Sequence, residues 1–426
     1  MPRKAMVMTV GTGKDVWHGL AYSIENANPD FVLFLVTRES MEKTLPLIKA
    51  ELERQGIGLV EYTRNTAIPE DAIPYILVED NNINNTEKLL ENYRKYIEKY
   101  VLRRGYSPGE ISVDITSGTK AMSSALLFVA LELELNEVRY VEGERGKDGR
   151  VTPGTERVVS QKPLRIFFEK RKGEVILYFN KFLFESALTL LGQMEEEFVN
   201  PERRQEIEFL THLVKGFKKW DLFDFTGAMD ELKKANEMED FLKKYRLKKK
   251  LEIALGTLKK EIDNPYSYYR VVDLFYNGKR RFMMGRYDDA VARFYRLLEY
   301  IAQCVLKNEH KMETGEIDLE KLKEKGIYEK WLEFRKNADL QRVGLQGAYY
   351  LLGLLGEPVD WINSEEVRRF LHQRNYSILA HGFVPIDKEK AGAFMEYLER
   401  EILPKVVENF KRLSKNFEFP QIEVRP

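Results

Sequence analysis

The feature that most limits what this chain can fold into is a change of hydrophobic period near residues 165–180. Before it, short apolar runs alternate with amphipathic stretches; after it, only helical spacing survives. Residues 6–10 read as a strand closed by Gly11-Thr12-Gly13, with a helix from about Asp15. Residues 31–37 (FVLFLVT) are continuously apolar, as a strand buried on both faces requires. Helices are expected over 41–55, 86–103 and 120–135, and strands over 56–62, 110–115 and 137–142. Residues 75–78 read either as a further strand or as a lead into the next helix. Residues 143–154, rich in glycine and charge, read as a hairpin loop returning through 156–159. Such β–α alternation predicts a mainly parallel sheet with helices on both faces, a Rossmann-like α/β domain.

Helical spacing then covers 180–198, 203–219, 226–238, 241–263, 268–284, 287–306, 319–325, 348–355, 364–376 (running on towards His381) and 387–413. A second boundary is expected at Asp263-Asn264-Pro265, because proline disfavours helix at the residue before it. The expected organisation is an α/β domain over 1–170, an all-α connector over 171–265 and an all-α domain over 266–426. No fixed period recurs among the helical hairpins, which argues against a solenoid.

Composition narrows the function. Lys+Arg and Asp+Glu are both 68, so any affinity for nucleic acid must come from a local patch. Lys279, Arg280, Arg281 and Arg286 are the candidates for guiding a phosphate backbone, whereas the basic run 243–250 reads as a solvated helix face. The single cysteine, Cys304, excludes an intramolecular disulfide, fits a reducing cytoplasm and lies in an apolar helical run as a core residue. Residues 5–10 are too short and too polar for a signal peptide, and no stretch approaches the roughly 18 apolar residues of a membrane span. His212 and His310 show no ligand-like spacing, so no metal site is expected.

The most informative stretch is His372-Gln-Arg374-Asn375-Tyr-Ser-Ile-Leu-Ala-His381-Gly382. If the helix continues through it, Arg374 and His381 are about 700° apart in rotation and roughly 10 Å apart along the axis, so they share a face. Gly382 then serves as the helix stop, and His372 points about 200° away from Arg374. An imidazole moves protons near neutral pH, and a guanidinium holds phosphate oxygens and stabilises developing charge. RNA supplies its own nucleophile in the 2′-hydroxyl. Such a pair therefore suits metal-independent in-line attack leaving a 2′,3′-cyclic phosphate, with His381 as base or acid, Arg374 stabilising the phosphorane and Asn375 orienting one of them. On spacing alone, a helix-end histidine beside an unrelated solvated arginine stands as the alternative. The run Arg374-Asn375-(five residues)-His381-Gly382 resembles the Arg-x(4–6)-His signature of HEPN ribonucleases, and residues 287–306 resemble that family's first long helix. This resemblance spans roughly residues 266–426.

Two polar loops stand at expected strand ends, Gly11-Thr12-Gly13-Lys14 and Thr116-Ser117-Gly118-Thr119-Lys120. Open α/β sheets bind ligands beyond the carboxyl ends of their strands, where helix N-termini offer free amides, which favours a phosphate or nucleotide here. Position 16 is valine, so the dinucleotide fingerprint lacks its third glycine, and no P-loop surrounds Gly13-Lys14. That demotes a hydride-transferring oxidoreductase and a nucleoside triphosphatase. Trp17 either stacks a base or anchors its helix to the sheet; His18 reads as structural or solvated, and Arg38 as a phosphate contact or a surface ion pair.

The run 114–122 with its apolar helix, and the hairpin 140–156, resemble the ligand loop and trailing hairpin of CARF domains over about residues 1–165. In this order the chain resembles the type III CRISPR-associated CARF–HEPN ribonucleases. The resemblance implies a cytoplasmic homodimer for antiviral defence, switched on by cyclic oligoadenylate (tetra-adenylate being the ring expected) held across the two-fold axis. It also implies a single-stranded RNA substrate and one composite nuclease site made from two Arg–His motifs. Some members degrade their own activator in the CARF domain, for which Lys14, Thr116 and Lys120 are the first positions to test. The competing expectation is a nucleotide-sensing regulatory protein whose helical domain docks a partner without catalysis.

Overall fold

In the computed structural model, residues 3–13, 15–54, 58–61, 72–77, 83–144, 151–152, 154–336 and 338–423 are described. They divide into two compact units, Met1–Lys170 and Arg171–Pro426.

The first unit is built on a sheet of β1 (Ala5–Val10), β2 (Phe31–Val36), β3 (Gly58–Glu61), β4 (Ala72–Leu77), β5 (Ile111–Asp114), β6 (Glu137–Glu142) and β7 (Arg157–Gln161). The strands lie in the order β3-β4-β2-β1-β5-β6-β7, all parallel except β7, which pairs antiparallel with β6. Of residues 75–78, which the sequence reads either way, 75–77 thus lie in an interior strand, and 78 lies outside the described residues. Helices α1 (Val16–Ala27), α2 (Arg38–Lys43), α3 (Leu45–Arg54), α4 (Thr86–Tyr100) and α5 (Lys120–Glu132) complete the unit. Alternate residues of β1 and β2 enter opposite layers, as the two-residue strand period requires. Ala5, Val7, Phe31, Leu33 and Leu35 pack with α4 and α5; Met6, Met8, Val10, Val32, Phe34 and Val36 pack with α1 and α3. A strand buried on both faces has to be continuously apolar, which is why FVLFLV carries no polar alternation.

From β1 the sheet grows to β2 on one side and to β5 on the other. The loops leaving the carboxyl ends of β1 and β5 therefore part around a topological switch point, the place where open α/β sheets receive ligands.

The second unit is helical among its described residues, and the division from the first falls within α6 (Leu164–Asn180). There follow α7 (Phe184–Glu197), α8 (Pro201–Asp221), α9 (Phe225–Glu237), α10 (Glu239–Tyr245) and α11 (Lys248–Asp263). After them come α12 (Tyr268–Met283), α13 (Tyr287–His310), α14 (Leu319–Glu324), α15 (Tyr328–Arg335), α16 (Leu345–Leu354), α17 (Glu365–Asn375) and α18 (Lys388–Tyr397). The long α13 is the hub, packing against α12, α16, α17 and α18. The start of α6 escapes periodicity because its apolar residues surround the helix: Phe167, Phe168, Val175 and Ile176 are buried while Ile166 and Leu177 are exposed. Three expected helices are interrupted, at Phe182 and Arg246 by left-handed backbone and beyond α18 by a π-helical turn and Pro404. No helix among the described residues is long and apolar enough to cross a membrane.

Candidate functional sites in the two units

The two glycine-bearing loops of the first unit touch. The Gly11 amide donates to Ser117 Oγ at 2.7 Å, and Thr9 Oγ1 donates to the Ser117 carbonyl. A Cβ on Gly11 would meet the Gly118 nitrogen at 2.7 Å, and Gly118 has φ +101°, so both positions need glycine. The hydroxyls of the second loop are already engaged. Thr116 Oγ1 accepts from the Val141 amide at 2.9 Å. Thr119 Oγ1 caps α5 by accepting from the Met122 amide at 3.2 Å, and donates to the Ile83 carbonyl at 2.9 Å. Beneath them Asp114 is fully buried, accepting from Ser23 Oγ at 2.5 Å and from the Thr116 amide at 2.8 Å. Burial pushes its carboxyl above the usual aspartate range, against the pull of these hydrogen bonds and of Arg139.

The side chains of Thr116, Ser117 and Thr119 therefore build the loop. What is exposed is Lys120, at the first position of α5, together with Thr12 and Gly13; of the leading amides of α5 the Met122 amide is capped by Thr119, and those of Lys120 and Ala121 have no partner within the helix. Lys14 lies outside the described residues. Trp17 is half-buried against the Met6–Val10 core layer, and its ring stacks on His18 with centroids 3.6 Å apart. One face of the indole is thus covered by the chain itself.

In the second unit the expected continuous helix through His381 does not form. α17 stops at Asn375 and the chain folds back over its end. Ser377 N donates to the Arg374 carbonyl at 3.0 Å, His381 N to the Asn375 carbonyl at 3.1 Å, Gly382 N to the Ser377 carbonyl at 3.2 Å and Val384 N to the Tyr376 carbonyl at 3.0 Å. Gly382 is not a helix stop; it is needed because a Cβ there would meet the Tyr376 carbonyl oxygen at 2.2 Å. The shared-face argument for Arg374 and His381 is replaced by a reverse turn, which returns the His381 backbone to the residue that follows Arg374.

The Arg374 guanidinium lies over the Tyr295 ring, 4.0 Å from its centroid, and Nη1 donates to Asn375 Oδ1 at 3.2 Å. Its Nε is buried and has no hydrogen-bond partner among the described residues. His381 is exposed at the tip of the turn, and so are Tyr376, Ile378, Leu379, Phe383 and Val384, with Phe383 88% exposed. His372 lies apart, stacked on Tyr376 with centroids 4.6 Å apart.

Of the basic patch expected from Lys279, Arg280, Arg281 and Arg286, only Arg286 is exposed, and the three on α12 are already paired with acids. Arg280 and Arg281 are buried, donating to Asp221 at 2.7 and 2.5 Å, and Lys279 pairs with Glu399 at 2.9 Å. Asp221 also accepts from Asn277 at 2.9 Å, and neighbouring Asp273 from the Trp220 indole at 2.9 Å. The sequence conceals this, because the acids that neutralise α12 lie on α8, within α12 itself and, for Lys279, just beyond α18. In the run 243–250, Lys244 pairs with Glu206 at 2.6 Å, while Lys243 and Lys248 lie 3.7 and 3.6 Å from Glu239. His212 and His310 are held by Glu231 and Glu357, each at 2.8 Å.

A switch-point sheet with engaged ligand loops, followed by a helical unit with an exposed histidine turn beside a π-held arginine, defines a protein of CARF–HEPN architecture. The sequence model described as the Csm6 HEPN domain matches residues 259–402, and that of the Csm6 6H domain matches residues 167–262. Together they span more than half of the chain, and the chain belongs to the Csm6 family of type III CRISPR-associated CARF–HEPN proteins. Among solved structures, Enterococcus italicus Csm6 bound to cyclic hexa-2′-fluoro-hexa-dAMP is similar over 98% of this chain and 98% of its own, at 16% identity and a TM-score of 0.52. That likeness shows a shared fold. Can2 from Sulfobacillus thermosulfidooxidans, in complex with cyclic tetra-adenylate, is similar over 50% of this chain and 58% of its own at 13% identity, with a TM-score of 0.25 that bears no weight. No curated protein sequence matches the chain.

Proposed function

We propose that the chain is a cyclic-oligoadenylate-activated endoribonuclease of type III CRISPR defence, acting on single-stranded RNA without a metal. One observation carries the reading. Inside the region matched to the Csm6 HEPN domain, Arg374 and His381 are drawn to the end of one helix, with the imidazole exposed and the guanidinium free of any carboxylate partner among the described residues.

In this mechanism His381 takes the proton of the ribose 2′-hydroxyl. The 2′-oxygen bonds to the neighbouring phosphorus, the P–O5′ bond breaks, and the 5′-oxygen leaves with a proton from a second imidazole. The products are a 2′,3′-cyclic phosphate and a 5′-hydroxyl. Arg374 stabilises charge on the phosphorane oxygens, and Asn375 holds the guanidinium edge. One chain offers one such pair, so the working site is composite and the protein a homodimer. The exposed apolar side chains that flank His381 suit contact with the sister turn.

The activator seats its phosphates against the first turn of α5 with Lys120, beside Gly11, Thr12, Gly13 and Lys14, while Thr116, Ser117, Gly118 and Thr119 shape the floor. Trp17 offers at most one ring face to a base. The ring we propose is cyclic tetra-adenylate; the hexameric analogue held by the Enterococcus protein makes cyclic hexa-adenylate the competing arm of the titration. The test is cleavage of a fluorogenic single-stranded RNA in EDTA with either ring. Arg374→Ala and His381→Ala are each expected to abolish cleavage while leaving dimerisation and nucleotide binding unchanged. Full activity in both would remove the mechanism, and nucleotide binding without any cleavage by the native chain would favour a partner-docking regulator.

A further inference from the structure

Arg374 is held in an unusual way for a buried-edge arginine. Three other guanidiniums of this unit are fixed by acids: Arg280 (which also lies over the Phe419 ring) and Arg281 by Asp221, and Arg293 by Asp289 at 2.6 Å. Arg374 has no such ion pair among the described residues. Its Nε is enclosed and unbonded, so what fixes the group is the ring face of Tyr295 below and the Asn375 amide at one edge. Tyr295 comes from α13, the hub helix that packs against α17, and is itself only half-buried. Glu299, one turn further along α13, acts on its hydroxyl end, while the ring face is turned towards Arg374.

The two modes of holding an arginine differ chemically. A carboxylate orients the guanidinium but also neutralises it and occupies two of its donors. An aromatic face orients it through the ring quadrupole and leaves both the charge and the in-plane N–H donors unspent. A phosphorane needs that charge and those donors.

We propose that Tyr295 is the positioning residue for Arg374, presetting the guanidinium for phosphate through its ring rather than its hydroxyl. The inference rests on the ribonuclease reading above. It predicts that what matters at position 295 is an aromatic face.

The experiment measures kcat and KM of full-length Tyr295→Phe, Tyr295→Trp and Tyr295→Leu on the fluorogenic RNA, at saturating cyclic tetra- or hexa-adenylate, beside Arg374→Ala and with melting temperatures for all. Tyr295→Phe and Tyr295→Trp should keep kcat within about twofold of the native protein. Tyr295→Leu should lose kcat on the order of fivefold to tenfold, the size expected for a partly desolvated cation–π contact, with KM nearly unchanged. Arg374→Ala inactive while Tyr295→Leu turns over like the native chain overturns this inference and leaves the ribonuclease reading standing. An equal loss in Tyr295→Phe and Tyr295→Leu also overturns it, because the hydroxyl and Glu299 would then be responsible. A fully active Arg374→Ala, or a native protein without cleavage, sinks the ribonuclease reading and this inference with it.

Discussion

The loop after β5 and the turn after α17 are both short reversals, yet they divide their groups in opposite ways. In the first, the side chains of Thr116, Ser117 and Thr119 are consumed within the fold, which leaves the Lys120 and Ala121 amides without partners within α5 and the Lys120 side chain exposed. In the second, the backbone closes on itself through five amide-to-carbonyl bonds from Ser377, Ala380, His381, Gly382 and Val384, leaving the His381 side chain exposed. A surface that must follow the shape of a phosphate ring is well made from fixed amides, because they cannot change rotamer. A surface that must move protons needs a titratable side chain, and only a spent backbone can hold one at a defined place. The difference teaches which substitutions read out chemistry and which read out folding.

The largest expected effect tests the second half of that contrast. His381→Ala should reduce cleavage by about a thousandfold or more, with an unchanged melting temperature, since the exposed imidazole supports no packing. A melting temperature that falls with the activity would place His381 among scaffold residues and erase the contrast. Next in size is Asp221→Ala, which takes the nearest acid from buried Arg280 and Arg281, leaves them only Asp273 at 3.5 Å and Asp289 at 4.0 Å, and should cost about 3 kcal/mol in denaturant unfolding. If it costs nothing, these arginines find water and could serve RNA after all.

Smaller, and opposite in kind, is the pair Ser117→Ala and Lys120→Ala. Ser117→Ala orphans the Gly11 amide and should lower stability by roughly 1–2 kcal/mol. Lys120→Ala should leave the melting curve of the free protein unchanged and weaken activator binding by about tenfold, less at high salt. Should the serine variant melt normally and only lose activator, the loop hydroxyls are ligand groups and the division drawn above fails on the sensor side.

Much of this was legible in the sequence where a single element carried the signal. The apolar run of β2 required a doubly covered strand, and the glycine loops at the ends of β1 and β5 marked a switch point because parallel topology brings them together. Arg374 and His381 were visible as residue types, but their arrangement was not. Seven-residue spacing is compatible with a helix, and nothing local showed that Tyr376 would end it, since Gly382 acts through a contact six residues back. Tyr295 lies 79 residues before Arg374 and read only as part of an amphipathic helix. Asp221, the nearest acid to Arg280 and Arg281, lies 59 and 60 residues before them, so in sequence their charge run looks like a surface. Pairings across tertiary distance leave no periodic trace, and sequence reasoning erred wherever they decided the outcome.

The last expected effect is read along a pH axis and belongs to the helical scaffold. Glu261 is fully buried with both carboxylate oxygens unbonded, 3.3 Å from Arg270 Nε and close to the second buried acid, Asp273. Burial first, and then the Asp273 charge, pushes its carboxyl from 4.5 up to about 9, and Arg270 only partly opposes this. The folded state therefore keeps a proton that the unfolded chain gives up above pH about 4.5, and folding loses stability as pH rises from there to about 9. Asp273, raised to about 6 by burial, adds the same sign of dependence below that pH. Glu261→Gln cannot ionise, so its melting temperature should match the native protein's near pH 4.5 and exceed it increasingly towards pH 9, by roughly 2–4 °C for each 1 kcal/mol relieved. Parallel melting curves for the two proteins across that range would mean that Arg270 keeps Glu261 ionised. The helical unit would then hold a conventional buried ion pair there, and Arg374 would still differ from Arg270 and Arg280, which also lie over rings, in having no acid partner among the described residues.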